Sequence, residues 1–430
     1  MHYFSTNRQS PHVSFREAVL NGQPDDKGLY FPSEVPRLAE GFVEKLRDIS
    51  NEQIAYDVIR PFVNGEIGDD DLFAICRETV NFDFPLVEIN ERISTLELFH
   101  GPTLAFKDVG ARFMSRCLKY FSKDKNEKTI VIVATSGDTG GAVAAGFHGV
   151  EGIEVVILYP KDKVSKVQEL QLTTLGGNVT TLELHGTFDD CQAIAKRALG
   201  DLDLRSKAHF TSANSINVAR WLPQQFYYFY ALNQWQGESP VMSVPSGNFG
   251  NLASGMLAHI SGLPVKKFIA ACNANDVVPR FLQTENYQPL PSVATLSNAM
   301  DVGAPSNFVR ILEIFGNKFV DLKEKLESVS VSDEATAATI RDVYDRYGYT
   351  LDPHGAVGYR ALADHLKTNE GSRGIFLGTA HPVKFDSVAE IIGKAPEAPP
   401  SVEALFSKEK QSIEIGNDYD AVREVLLSKV

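Results

Sequence analysis

The sequence predicts an α/β fold of open, twisted, mostly parallel sheets flanked by helices, and three observations carry that expectation. Short β-branched runs recur at Thr129-Ile130-Val131-Ile132-Val133, Glu154-Val155-Val156-Ile157-Leu158, Val241-Met242-Ser243-Val244, Lys267-Phe268-Ile269-Ala270 and Gly374-Ile375-Phe376-Leu377. They are continuous rather than alternating, the pattern of strands covered on both faces. Helix-like stretches, such as 141–149, 165–175 and 249–260, lie between them, and such alternation is the mark of a parallel sheet with helices on its faces. Three of the five runs end directly in a turn rich in small residues: Ala134-Thr135-Ser136-Gly137, Pro245-Ser246-Gly247 and Gly378-Thr379-Ala380-His381-Pro382. Open α/β sheets bind ligands beyond the carboxyl ends of their strands, so these turns mark the expected site.

The elements follow in order. Phe42, Leu46 and Ile49, then Ile54, Val58 and Ile59, recur at helical spacing, with turn signals at Pro24-Asp25-Asp26-Lys27-Gly28 and Asn64-Gly65. A mainly helical domain is expected over 1–93. The larger α/β domain is expected from 94–124 together with 222–430, and the smaller one from 125–221. Ala395-Pro396-Glu397-Ala398-Pro399-Pro400 reads as an extended connector before a C-terminal helical tail.

Composition excludes several classes. At 430 residues the chain exceeds one compact core, and 43% hydrophobic with 23% charged residues is ordinary for a globular protein. A net charge of −13 leaves no electrostatic footprint for nucleic acid. No apolar run approaches the roughly 18 residues of a membrane span. Cys76, Cys117, Cys191 and Cys272 are scattered, with no metal-ligand spacing, and suit a reduced, cytoplasmic protein. A monomer and a homodimer are equally compatible with the sequence.

The chemistry concentrates in two turns and one lysine. Gly247-Asn248-Phe249-Gly250-Asn251 follows a strand and opens a helix, where glycines either let backbone N–H groups face a phosphate, with the helix dipole adding about 0.3–1 kcal/mol, or simply allow tight packing of an ordinary strand-to-helix turn. The spacing is neither that of a dinucleotide fingerprint nor of a P-loop, which disfavours a nicotinamide dehydrogenase. Ser136-Gly137-Asp138-Thr139-Gly140-Gly141 offers hydroxyls and N–H groups to a carboxylate, or else a plain helix cap. Lys107 follows Leu104, Ala105 and Phe106, and desolvation there would free its amine as nucleophile and base. A surface lysine on an amphipathic helix is the competing reading, and the two turns decide against it. His100, His354 and His381 read as hydrogen-bonded structural histidines.

Six strings stand in one order: LFHGPTLAFKD (98–108), ATSGDTG (134–140), SANSIN (212–217), VPSGNFG (244–250), TLSNAMDVG (295–303) and LGTAHP (377–382). Together they resemble the threonine synthase family, in its branch with an extended N-terminal domain, from Gly28 to Pro382. The resemblance implies a fold-type II, tryptophan-synthase-beta-like fold of two sheets and pyridoxal 5'-phosphate as cofactor. It implies a lyase that turns O-phospho-L-homoserine and water into L-threonine and phosphate, by β,γ-elimination and then hydration. Lys107 would carry the cofactor as a Schiff base, Gly247, Asn248, Phe249, Gly250 and Asn251 its phosphate, and Thr379 would meet the pyridine nitrogen. Asp138, an Asn in many fold-type II relatives, would face the ring hydroxyl, and Ala105 replaces a frequent Ser. Ser136, Gly137 and Thr139 would seat the substrate carboxylate. Lys163, Asn214, Ser215 and Arg220 would seat its phosphate, against readings of a solvated loop for Lys163 and helix capping for Asn214 and Ser215. A serine/threonine dehydratase or a cysteine synthase needs no such second phosphate seat, and a non-catalytic ligand-binding relative needs no reactive lysine.

Overall fold

Five continuous apolar runs become inner strands of two sheets. The computed structural model describes residues 1–123 and 128–430. In the larger sheet the strands Leu326–Ser330, Lys267–Cys272, Val241–Pro245, Gly374–Gly378, Ile93–Glu97 and Leu86–Asn90 lie side by side in that order. All neighbours run parallel except the last pair, which is an antiparallel hairpin. The smaller sheet runs Ile413–Ile415, Val179–Leu184, Ile153–Pro160, Thr129–Ala134 and His209–Ser212, all parallel. Every residue of Thr129–Ala134 and of Gly374–Gly378 is buried, as two-sided coverage by helices requires.

Edge strands escape the sequence reading because they lack a continuous apolar run. Leu326–Ser330 is half exposed. Val179–Leu184 is an inner strand that carries polar residues, satisfied by the C-terminal segment: the Thr181 hydroxyl donates to the Gln411 carbonyl at 2.7 Å, and Glu183 pairs with Lys410 at 2.7 Å. That segment is where the domain expectation fails. Ile413–Ile415 joins the smaller sheet, and helix Tyr419–Leu427 buries Tyr419, Val422 and Leu426 against the Ile132 and Val156 core, so the tail leaves the larger domain. The expected N-terminal boundary at 93 falls inside the hairpin Leu86–Asn90 and Ile93–Glu97, which belongs to the larger sheet. The expected boundary at 124 and 125 lies outside the described residues.

Ahead of that hairpin the chain forms a two-stranded antiparallel pair, Tyr3–Ser5 with Tyr30–Pro32, and helices Phe15–Asn21, Asn51–Val63 and Asp69–Thr79. Arg310, fully buried, ties this region inward: its guanidinium donates to the carbonyls of Tyr30, Ser215 and Ile216 and stacks 4.2 Å from the Trp221 ring centroid.

One helix organises the centre. Phe226 to Ala231, in helix Phe226–Gln234, are all fully buried, and a buried tyrosine hydroxyl needs a partner. Tyr227 donates to the Phe106 carbonyl, Tyr228 meets the carbonyl and Oδ1 of Asn251 at 3.0 Å each, and Tyr230 reaches the Asn51 carbonyl at 2.9 Å. Tyr228 fits because helix Gly250–Ser261 carries Gly255 beneath it, where a Cβ would sit 2.2 Å from the ring. Glycine in a helix interior costs about 1 kcal/mol against alanine, yet here it makes room for the ring. Gly255→Ala should therefore destabilise by about 1–3 kcal/mol through overpacking, read as a lower urea midpoint. A gain in stability, as propensity alone dictates, would contradict the packing.

Candidate active site

A cavity of about 530 Å³ lies where the carboxyl ends of both sheets face each other. Ala134 to Ser136, then Ser212, Asn214 and Ser215, then Pro245 and Gly247 to Asn251, and Thr379 reach it from four strand ends, and Thr6, Asn7 and Gly28 close it from the N-terminal region. Its size suits a cofactor with a small substrate.

Lys107 is the first residue of helix Lys107–Ser122. The loop before it is held on all sides: Leu98 N–H donates to the Gly378 carbonyl at 2.8 Å, Phe106 N–H to Thr379 at 2.9 Å, and His381 N–H to Leu104 at 3.1 Å. Leu104 takes a left-handed φ of 57°, strain that persists where surroundings fix the backbone. Thr103 donates to buried Asp108 through its N–H at 2.9 Å and its hydroxyl at 2.6 Å. So fixed, the Lys107 side chain is 17% exposed and enters the cavity, its Nζ 3.9 Å from Asp138 Oδ2. Burial lowers the amine's pKa below the usual lysine value; Asp138 opposes that shift, and Lys384 and Arg220 reinforce it.

Asp138 opens helix Asp138–Phe147 and is buried. Burial pushes its carboxyl up, but Lys384 and Lys107 outweigh burial and hold it well below the usual range, so it stays ionised. Lys384 Nζ lies 2.6 Å from Oδ1, and Gln168 Nε2 donates to the same oxygen at 3.0 Å. Gly137 makes that contact possible: its φ is 141°, and a Cβ there would sit 2.6 Å from the Gln168 amide.

The Gly247–Asn251 turn has the features of an anion seat. Among the described residues, no backbone N–H from Gly247 to Asn251 donates a hydrogen bond, and the helix has no side-chain cap. Phe249 holds a left-handed φ of 63° that turns those groups inward. The buried Asn251 Nδ2 also lacks a partner. A Cβ on Gly247 would sit 2.5 Å from Met300 Cα, so the turn and the Asn298–Asp301 wall touch. A dianionic phosphate at a helix N-terminus satisfies such donors, and the residues present fit a phosphorylated cofactor. The Thr379 hydroxyl lines the same cavity and has no partner among the described residues.

The remaining expected residues divide. Ser136 and Thr139 line the cavity with hydroxyls that have no partner among the described residues, beside the unpaired N–H groups of Asp138 and Thr139. Asn214, Ser215 and Arg220 line it as well. Capping of the helix Val218–Trp221 falls to Asn217 instead of Asn214 or Ser215. Ser215 Oγ accepts from Asn248 at 2.8 Å and Asn307 at 3.0 Å, joining this segment to the glycine turn. Arg220 is buried, donates to the Ala213 carbonyl and leaves Nε unpaired; burial brings its pKa down to about 10, so it keeps its charge at neutral pH. Two expectations fail. Lys163 is exposed outside the cavity, on a loop that turns away at Asp162 with φ 58°. Gly137 does not line the cavity, since its place is set by Gln168.

Sequence reasoning passes over Lys384 and Gln168. His354, read as structural, is buried in the cavity wall, its Nδ1 2.7 Å from Asp352 Oδ2, while Nε2 accepts from Ala299 N–H at 3.3 Å. It anchors the 298–302 wall.

Known proteins resemble the chain along its whole length. Residues 88–405 match the family model of pyridoxal-phosphate dependent enzymes, and residues 2–80 that of the threonine synthase N terminus. The chain is 43% identical to threonine synthase of Haemophilus influenzae, over 99% of this chain and 100% of that one. It superposes on the crystal structure of threonine synthase from Escherichia coli with a TM-score of 0.93 at 42% identity, covering 100% of both chains. The crystal structure of pyridoxal-phosphate-bound threonine synthase from Brucella melitensis gives 0.92 at 34% identity, over 99% and 98%.

Because a methyl at 247 collides with Met300, Gly247→Ala should weaken binding of pyridoxal phosphate at least about tenfold, roughly 1.4 kcal/mol. Absorbance titration of the cofactor-free chain measures it; an unchanged Kd would mean that the turn is not the phosphate seat.

Proposed function

The chain belongs to the pyridoxal-phosphate-dependent enzyme family and, within it, to the threonine synthases, and we propose that it converts O-phospho-L-homoserine and water into L-threonine and inorganic phosphate. Its fold is that of the fold-type II pyridoxal-phosphate enzymes. The choice of substrate rests on one observation: besides the Ser136–Thr139 turn, two sets of polar groups line the cavity, the Gly247–Asn251 turn and the group of Asn214, Ser215 and Arg220. A substrate without a phosphate would leave the buried Arg220 Nε unmatched, a cost of about 1–3 kcal/mol.

Bound pyridoxal phosphate supplies a carbonyl for the lysine and a conjugated ring that delocalises the negative charge of a substrate carbanion. The chain supplies position and protons. The N–H groups of Gly247 to Asn251 would hold the cofactor phosphate, Thr379 would offer its hydroxyl to the ring nitrogen, and Asp138 would lie on the side of the ring hydroxyl. Ser136 and Thr139 hold the α-carboxylate. Lys107, whose amine burial shifts toward the neutral form, takes the α-proton and later returns it, a role worth about 10²–10⁴-fold. In net terms the γ-carbon loses phosphate and gains a proton, and the β-carbon gives up a proton and gains the hydroxyl of water, whose other proton leaves with the phosphate. We place the reaction in the cytoplasm, where the four free, buried cysteines remain thiols.

Supplied with O-phospho-L-homoserine, the native chain should release phosphate and threonine in equal amounts, and Lys107→Ala should lose at least about 10²-fold in kcat. Turnover of L-serine without turnover of the phosphorylated substrate would overturn the assignment and leave the cofactor reading in place.

A further inference from the structure

Lys384 is fully buried, ends the short turn Pro382–Lys384, and points its charge at the reactive centre. Its Nζ makes two contacts, 2.6 Å to Asp138 Oδ1 and 2.8 Å to the Thr103 carbonyl. Lys107 faces the other oxygen of the same carboxylate at 3.9 Å, too far for a hydrogen bond. One buried carboxylate therefore lies between two lysines, strongly engaged by the one that does no chemistry. We propose that Lys384 is a positioning residue for Lys107: by claiming Oδ1 of Asp138 and the carbonyl of Thr103 together, it keeps that carboxylate from closing a direct ion pair on the catalytic amine.

Both contacts are needed for this. Thr103 belongs to the loop that delivers Lys107 and is bonded to Asp108, so the Thr103 contact fixes where the catalytic amine starts. The Asp138 contact fixes where the carboxylate stops, with Gln168 sharing Oδ1. The charged groups that act on Lys107 are Asp138, Lys384, Arg220 and Asp352. Arg220 and Lys384 push its proton off, whereas Asp138 and Asp352 draw it on. Removal of the Lys384 charge leaves Asp138 buried with Lys107 as its nearest cation, and a buried carboxylate in that position closes on it. The amine would then stay protonated and be unable to act as nucleophile or base.

The inference rests on Lys107 being the cofactor-bearing lysine, but its test reads the amine directly and does not depend on the reaction catalysed. The full-length chain without cofactor is labelled with acetic anhydride across a pH series, and the Lys107 peptide is quantified by mass spectrometry. In the native chain half-maximal reactivity should lie below the ~10.4 of a free lysine. Lys384→Met should move it up by about one pH unit, a roughly tenfold loss of reactivity at pH 8. Asp138→Asn combined with Lys384→Met removes both charges and should return the midpoint to the native value or lower, which a purely structural clamp would not do. If the single variant fails to fold, the double variant carries the test alone. An unshifted midpoint in folded Lys384→Met, or a raised midpoint in the double variant, would overturn the proposal.

Discussion

Two adjacent tyrosine hydroxyls set the distance between the reactive amine and the anion seat. Tyr227 holds the carbonyl of Phe106, the residue before Lys107, and Tyr228 holds Asn251, at the end of the glycine turn. Both sit on one fully buried helix segment, so the two halves of the site are registered to a single rigid element rather than to each other. A hydrogen bond of this kind contributes only about 1 kcal/mol net, but a buried partner left without it costs more. Specificity of position, more than stability, is what these contacts supply. Tyr230, further along the same helix, brings the N-terminal helix Asn51–Val63 under the same constraint.

The electrostatics follow from burial, not from net charge. A chain of charge −13 nonetheless builds a cavity for anions, because local donors with fixed orientation outweigh a diffuse field. Among the described residues, unpaired backbone N–H groups at two helix starts, the hydroxyls of Ser136 and Thr139, and a buried Arg220 face the same space. Asp138 is the exception, an anion inside an anion-binding cavity, and Lys384 and Lys107 balance it.

The sequence exposed the parts of this site that deform the backbone. Gly247 and the turn after Ala134 stand out because strand-to-helix turns that bare their N–H groups need small residues, and those turns line the cavity. Lys107 was legible from its apolar neighbours only in the company of those two turns. The same signal marks Lys384, between Val383 and Phe385 just past the His381-Pro382 turn, and could have found it. Gln168 gave none, and the place of His354 in the cavity wall was equally hidden, since each acts through contacts between distant segments, 30 residues for Gln168 with Asp138 and 55 for His354 with Ala299. Lys163 shows the opposite error: a basic loop after a strand resembles a phosphate seat, yet the backbone turns away and the neighbouring Lys161 pairs with Glu414. Strands with polar residues, such as Val179–Leu184, were hidden because a late segment of the chain satisfies them.

On the proposed function one amine, at Lys107, would carry the cofactor within a cavity whose opposite wall would hold the cofactor's phosphate. Borohydride reduction of the pyridoxal-phosphate-loaded protein, followed by digestion and peptide mass mapping, tests it most directly. A phosphopyridoxyl mass is expected on the peptide that contains Lys107 and on no other. The same mass on Lys384, or on a surface lysine with Lys107 unmodified, would contradict it.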